Sequence, residues 1–268
     1  MKDSEVRAGE PDVLVDRCRG LWFVRSVASL SEVVLVLHRP RNLDNVGAAA
    51  RVAANFGIGQ LVLVDPLSYA LDRARKLAVG ADGVLERLYV HRTLPEALAP
   101  AAFSAGTSSR RLARRPSLSP AALANRVAAA AGPIAIVFGD EKRGLSDAEL
   151  SLCQDVCRIP TAALQPSMNL AQSVAVLSYA LATVGPGAPK DGPPPATHAD
   201  LAAAREEARQ ALSAAGFLNP QRPDLILDEL LSCWARAGLS HREAELWRAS
   251  FRQIEGEIRR ARSRTNPG

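Results

Sequence analysis

The sequence is poor in aromatic residues, at 4% of 268 positions, and holds only four histidines, four cysteines and two methionines. So sparse a set of imidazole and thiolate groups argues against a metal centre: Cys18, Cys153, Cys157 and Cys233 have no histidine at the short spacing of a zinc site. Cys153 and Cys157 lie one helical turn apart and read as small buried hydrophobes on one helix face. Nothing resembles a disulfide framework, so a reducing cytoplasm is the expected compartment. No uninterrupted apolar run is long enough to span a bilayer. The patch Gly20-Leu21-Trp22-Phe23-Val24, between Arg19 and Arg25, is too short and too charged for a signal peptide. No Gly-x-Gly-x-x-Gly follows the first apolar strand, and no Gly-Lys-Ser/Thr closes a glycine loop. Dinucleotide and P-loop nucleotide binding are therefore disfavoured.

What is present is a large apolar fraction, 47%, and a formal net charge of +5 from 33 basic and 28 acidic residues. The first supports a sizeable core. The second leans toward a polyanionic partner, although a solvated basic surface explains it equally. Arginine far outnumbers lysine and can hold phosphate oxygens bidentately, but a coding bias that also enriches alanine accounts for the same excess.

From Val33 onward, short aliphatic runs alternate with alanine-rich helical stretches. The clearest runs are Val33-Val34-Leu35-Val36-Leu37, Leu61-Val62-Leu63-Val64 and Ile134-Ala135-Ile136-Val137-Phe138, with weaker candidates at 88–90, 102–105 and 156–159. Continuous apolar strands belong to a parallel sheet covered on both faces. Helices are expected at 45–56, 69–79, 119–130, 146–153 and 168–183, giving an α/β class. Ser146 and Glu149 form a capping-box pattern that starts one of them. Pro and Gly crowd 185–198, which reads as a semi-stiff linker. Beyond it come three helical patterns, the last opening on Ser240 with Glu243 and carrying Trp247, Phe251, Ile254 and Ile258 on one face. The expected organisation is a loosely held extension over 1–31, a sheet domain over 32–184, the linker, and a small all-α domain over 199–268.

Chemistry concentrates in three clusters, each at a strand end. The first is Arg41-Asn42-Leu43-Asp44-Asn45-Val46-Gly47-Ala48-Ala49-Ala50-Arg51. Asn45 can cap the helix, Gly47 removes bulk where a backbone or ligand comes close, and Arg51 projects from the second turn. A capped helix with a solvated arginine, or phosphate held at the helix N-terminus, both fit this segment. The second, Gly139-Asp140-Glu141-Lys142-Arg143-Gly144-Leu145-Ser146, is a glycine-bounded loop where α/β folds bind ligands; it is equally a tight turn. The third runs from Ile159-Pro160-Thr161 to Pro166-Ser167-Met168-Asn169-Leu170-Ala171 and enters an apolar helix.

Together, and in this order, the clusters resemble the motifs of the SpoU/TrmH family of RNA ribose methyltransferases, within the SPOUT superfamily: Arg-Asn-x-x-Asn-x-Gly-x-x-x-Arg, then Gly-x-Glu-x-x-Gly-Leu, then Ile-Pro leading to Ser-Leu-Asn. The match covers 33–183, with Met168 where the family commonly has Leu. Ala105-Gly106-Thr107-Ser108-Ser109-Arg110, Asn169-Leu170-Ala171 and the helical tail are most similar to the TrmJ branch, which methylates a ribose in the tRNA anticodon loop (a cytidine or uridine at nucleotide 32). The resemblance implies a C-terminal trefoil knot, a homodimer, S-adenosyl-L-methionine as cofactor and tRNA as partner. It assigns Thr107, Ser108, Ser109, Gly139, Ile159, Pro160, Ser167, Met168 and Asn169 to the cofactor, and Glu141 and Gly144 to bracing of the loops. Arg51, Asn45 and Ser167 become the candidate catalytic residues. A guanidinium stays protonated in proteins, so Arg51 is expected to clamp a phosphate and orient the 2′-hydroxyl rather than act as a base. Phosphate contacts are expected from Arg41, Arg110, Arg111, Arg114 and Arg115. Ribosomal RNA as substrate, or an inactive RNA-binding module of the same fold, are the alternatives. No metal and no membrane are expected.

Overall fold

The computed structural model describes residues 30–68, 72–112, 115–184 and 192–265. The extension up to residue 29 with its apolar patch and Cys18, positions 69–71 of an expected helix, Arg114, and linker residues 185–191 lie outside the described residues.

Six strands form one sheet: β1 (Val33–His38), β2 (Gln60–Val64), β3 (Tyr89–His91), β4 (Phe103–Thr107), β5 (Ile134–Phe138) and β6 (Asp155–Cys157). Their order is β3-β2-β1-β5-β4-β6, and every neighbouring pair is parallel. The apolar runs are continuous because both faces are covered. On one face Leu35, Leu37, Leu61, Leu63, Ile136 and Phe138 pack beneath α1 (Leu43–Asn55), α5 (Pro120–Ala129) and α7 (Leu170–Val184). On the other, Val36, Val62, Val64, Ala135 and Val137 meet α4 (Leu94–Leu98) and α6 (Asp147–Ser151). Each fully buried Leu, Ile or Phe contributes roughly 1.5–3 kcal/mol over its exposed state.

Local chemistry explains where the helices depart from expectation. α1 starts at Leu43 because Asn42, not Asn45, is its cap: the Asn42 carboxamide oxygen accepts from the Asp44 amide at 3.0 Å. That frees Asn45 for another partner. Within the helix expected at 69–79 the described residues form α2 (Asp72–Leu77), and a separate, unforeseen α3 (Asp82–Glu86) follows. The unforeseen α4 carries a capping box of Thr93 and Glu96, with Pro95 in its first turn. Gly47 has a backbone neighbour, as one of its two readings anticipated. A Cβ there would lie 2.1 Å from the Ala74 carbonyl oxygen, so only glycine lets α1 and α2 meet. Cys153 and Cys157 do not share a helix face; Cys153 follows α6 and Cys157 sits on β6, both buried.

The helices α8 (His198–Ala214), α9 (Pro223–Ala237) and α10 (His241–Thr265) pack together. Small Ala204, Ala208 and Ala211 on α8 are fully buried. The ring centroids of Trp234 and Trp247 lie 5.7 Å apart and those of Trp247 and Phe251 lie 5.8 Å apart. The expected apolar face of α10 is only partly covered, since Ile254 remains 48% exposed. The start of α8 is tied to the sheet region. The His198 and Ala199 amides donate to the Ala101 and Ala99 carbonyls, and His198 Nε2 lies 2.9 Å from Ser104 Oγ and 3.0 Å from Gln154 Oε1.

Candidate active site

A cavity of about 350 Å³ opens at the carboxyl ends of β4, β5 and β6, where parallel α/β sheets bind ligands. Its walls include Thr107, Ser108 and Ser109 after β4, Gly139 and Gly144 after β5, and Ile159, Ser167 and Met168 after β6. These residues were assigned to the pocket or its bracing. Pro160 and Asn169 are not part of its lining among the described residues.

The loop after β5 is folded on itself. The Gly144 amide donates to the Asp140 carbonyl, and Asp140 Oδ1 accepts the Lys142 and Arg143 amides, each at 2.7 Å. A Cβ on Gly139 would lie 2.2 Å from the Gly144 carbonyl carbon and 2.3 Å from the Leu145 nitrogen, so the turn closes only around glycine. Burial opposes ionisation of Asp140, but the two amides and Arg41 outweigh it and hold the carboxyl below its ordinary range.

Glu141 joins this loop to the first cluster. Its carboxylate accepts from the Arg41 amide at 2.9 Å, the Asn42 amide at 3.1 Å and Asn45 Nδ2 at 2.8 Å. Burial again raises the pKa, and these hydrogen bonds overcome it, so the carboxylate is held ionised. Asn45 Oδ1 in turn accepts from Asn169 Nδ2 at 3.0 Å, while Asn169 Oδ1 caps α7 through the Ala171 and Gln172 amides. Three segments far apart in sequence are thereby fastened at one point. Both ends of the Asn45 amide, a candidate catalytic residue by sequence, are engaged in holding these segments together.

The chain matches the model of the SpoU rRNA Methylase family over residues 32–179. It is 30% identical to the tRNA (cytidine/uridine-2'-O-)-methyltransferase TrmJ of Klebsiella pneumoniae subsp. pneumoniae across 84% of this chain and 97% of that protein. Identity to the protein of the same name from Yersinia pestis (strain Pestoides F) is 31%, across 84% of this chain and 92% of that one. The crystal structure of TrmJ from Z. mobilis ZM4 superposes with a TM-score of 0.72 at 28% identity, covering 86% of this chain and all (100%) of the other. The chain belongs to the SpoU rRNA methylase family.

Within this SpoU methylase the expected arginines divide into two groups. Arg51 is exposed on α1 and makes no hydrogen bond or ion pair among the described residues. Arg111 is likewise exposed and without such a partner. Arg41 stands 3.5 Å from Asp140, and Arg110, on the cavity wall, donates to the Leu145 carbonyl at 2.9 Å and to Asp147 at 3.0 Å. Arg115 corrects the sequence-based assignment. Its guanidinium turns inward to the C-terminal end of α6 and donates to the carbonyls of Leu150 at 2.6 Å, Gln154 at 2.7 Å and Cys153. Carbonyls left open at a helix C-terminus attract a cation, and Arg115 meets them here.

Two features escaped the sequence reading. Lys142 and Arg143 line the cavity, and nothing in the local pattern of their loop distinguishes them from solvated charges. The node of His198, Gln154 and Ser104 has no local sequence signature, since its members are 44 to 94 residues apart.

Proposed function

We propose that this SpoU methylase transfers a methyl group from S-adenosyl-L-methionine to a ribose 2′-hydroxyl in the anticodon loop of tRNA. The observation that carries the reading is the Asn45–Glu141–Asn169 fastening, which brings all three motif loops to one cavity. The lining suits the cofactor. Leu145, Ile159, Met168 and Leu170 offer apolar surface to an adenosyl group, and the turn at Gly139 and the segment after β4 present peptide groups without bulky side chains.

Bound there, S-adenosyl-L-methionine supplies a methyl group open to in-line attack. Arg51 spends no donor among the described residues, so it clamps the phosphate beside the reacting ribose and orients the hydroxyl. Ser167, exposed on the cavity rim, holds the ribose. Thr107, Ser108, Ser109, Gly139, Ile159, Ser167 and Met168 hold the cofactor, with Pro160 and Asn169 shaping the loop around it.

The working unit of this reading is a homodimer with the family's trefoil knot. Tyr179 is 63% and Val184 40% exposed on α7, which packs against α1 with its partly buried Val52 and the capping residue Phe56, and this supports an interface there. The compartment is the cytoplasm, where tRNA is modified. No helix among the described residues is long and apolar enough to cross a membrane.

The deciding experiment incubates the purified chain with labelled cofactor and bulk tRNA, then maps the modified nucleotide. A 2′-O-methyl group in the anticodon loop is the expected result. Methylation of ribosomal RNA alone overturns the substrate, and failure to bind the cofactor by calorimetry overturns the enzyme.

A further inference from the structure

We infer that Lys142 and Arg143 form a phosphate-binding rim that holds the RNA backbone against the cavity. The inference rests on RNA being the substrate, and it assigns the contact to a loop outside the basic run at 110–115.

Most cations around the cavity are already occupied. Arg41 faces Asp140, and Arg110 bridges the Leu145 carbonyl and Asp147. Arg115 is bound to carbonyls at the end of α6. Arg158 Nε donates to the Ser109 carbonyl at 3.1 Å. Lys142 and Arg143 differ from all of these. Both line the cavity, both are exposed, and neither side chain has a hydrogen bond or ion pair among the described residues.

Their backbone, by contrast, is fixed. Asp140, only 9% exposed, accepts both of their amides, and the Gly139 turn behind them cannot open around a larger residue. The conformational cost of holding this loop is met before any ligand arrives, so only side-chain freedom is lost on binding. Two adjacent charges on a rigid turn at the cavity mouth, with no acidic partner among the described residues, suit the regularly spaced charges of a phosphodiester backbone.

The test compares K142Q/R143Q with wild type in binding to an unmodified tRNA transcript between about 50 and 200 mM salt. The double variant is expected to bind about 10-fold more weakly at about 100 mM salt, with the slope of log K against log salt less steep by about one or more. R143K, which keeps the charge, should retain most of the wild-type slope. Arg87→Gln removes one charge between α3 and β3, at the amino end of the opposite edge strand, and should leave the slope unchanged. Affinity for S-adenosyl-L-methionine, measured by calorimetry without RNA, should be the same in the double variant and wild type. An unchanged slope overturns the inference. So does lost cofactor affinity with an intact slope, which would give the two residues to the cofactor. Wild type that fails to bind tRNA sinks the RNA reading itself, and is distinguishable from both. The substituted side chains are exposed and their backbone hydrogen bonds are untouched, so the variants should melt with wild type.

Discussion

Asn45 Nδ2 donates to Glu141 Oε1 at 2.8 Å across 96 positions of chain, and among the described residues no other side chain joins the same carboxylate. A glutamine at 141 keeps the shape but turns a donor toward groups that are themselves donors. Charge-assisted hydrogen bonds of this kind are worth about 1.5–3 kcal/mol, and leaving one unmade in a half-buried place costs a similar amount. Glu141→Gln should therefore lower the urea midpoint and weaken S-adenosyl-L-methionine binding together, as read by unfolding and calorimetry. Unaltered values of both would show that the carboxylate does not fasten the loops.

Arg115 invites a similar test from the opposite direction. Arg115→Met keeps much of the stem and removes the donors to Leu150, Cys153 and Gln154. α6 lies directly on β4: a Cβ on Gly106 would come 2.9 Å from Leu150 and 3.1 Å from Cys153, one residue before Thr107 on the cavity wall. The variant is expected to lose stability by about 1–3 kcal/mol and to show faster amide exchange at 107–110 and 150–154. Its salt slope for tRNA binding should match wild type. A slope reduced by about one would instead return Arg115 to the RNA surface.

That contrast shows what the sequence could and could not carry. The sheet was legible because strands buried on both faces are continuously apolar, as 33–37, 61–64 and 134–138 are. The capping boxes at Ser146 and Ser240 were legible because both partners lie within one turn. The three loops are legible through motif order, and with them the bracing position of Glu141. The partners of individual side chains were not legible. Whether an arginine in 110–115 faces solvent or a helix end depends on where the chain crosses α6, which no local pattern encodes. Asn45 and Asn42, three residues apart, offer the same capping chemistry, and no local pattern chooses between them. Short α4 has too few residues for a period to show.

His198 gives a prediction in pH. Burial holds its ring below the ordinary histidine value of 6.5, so the ring is neutral where it meets Ser104 and Gln154. As pH falls through 6.5 the unfolded chain takes up the proton first, while the folded chain stays neutral down to its lower pKa. The stability from this ring is thus complete above 6.5 and is lost progressively below it. His198→Gln places an amide near the Nε2 position and does not titrate. Between about pH 7.5 and 5.5 the wild-type urea midpoint should fall further than that of the variant. His38, also depressed by burial, is shared by both proteins and cancels. Parallel curves would mean that burial does not depress the pKa of the ring.

Arg51 is the group on which the mechanism most depends, and its freedom is what makes it testable. It is exposed on α1 and spends no donor among the described residues. Arg51→Lys retains the charge and loses the planar fork that grips a phosphate through two parallel bonds. If orientation of the ribose is the function, the variant should bind tRNA with nearly the wild-type salt slope, because the charge is still there. Turnover should fall roughly 100-fold, the scale on which a misplacement of about 1 Å acts. Affinity for S-adenosyl-L-methionine should not change, since Arg51 does not line the cavity. Single-turnover methylation at saturating tRNA separates the chemical step from binding. Near wild-type turnover in the lysine variant would remove the clamp, because a point charge would then do as well as a fork. A parallel loss of tRNA affinity and rate would place Arg51 in substrate binding alone.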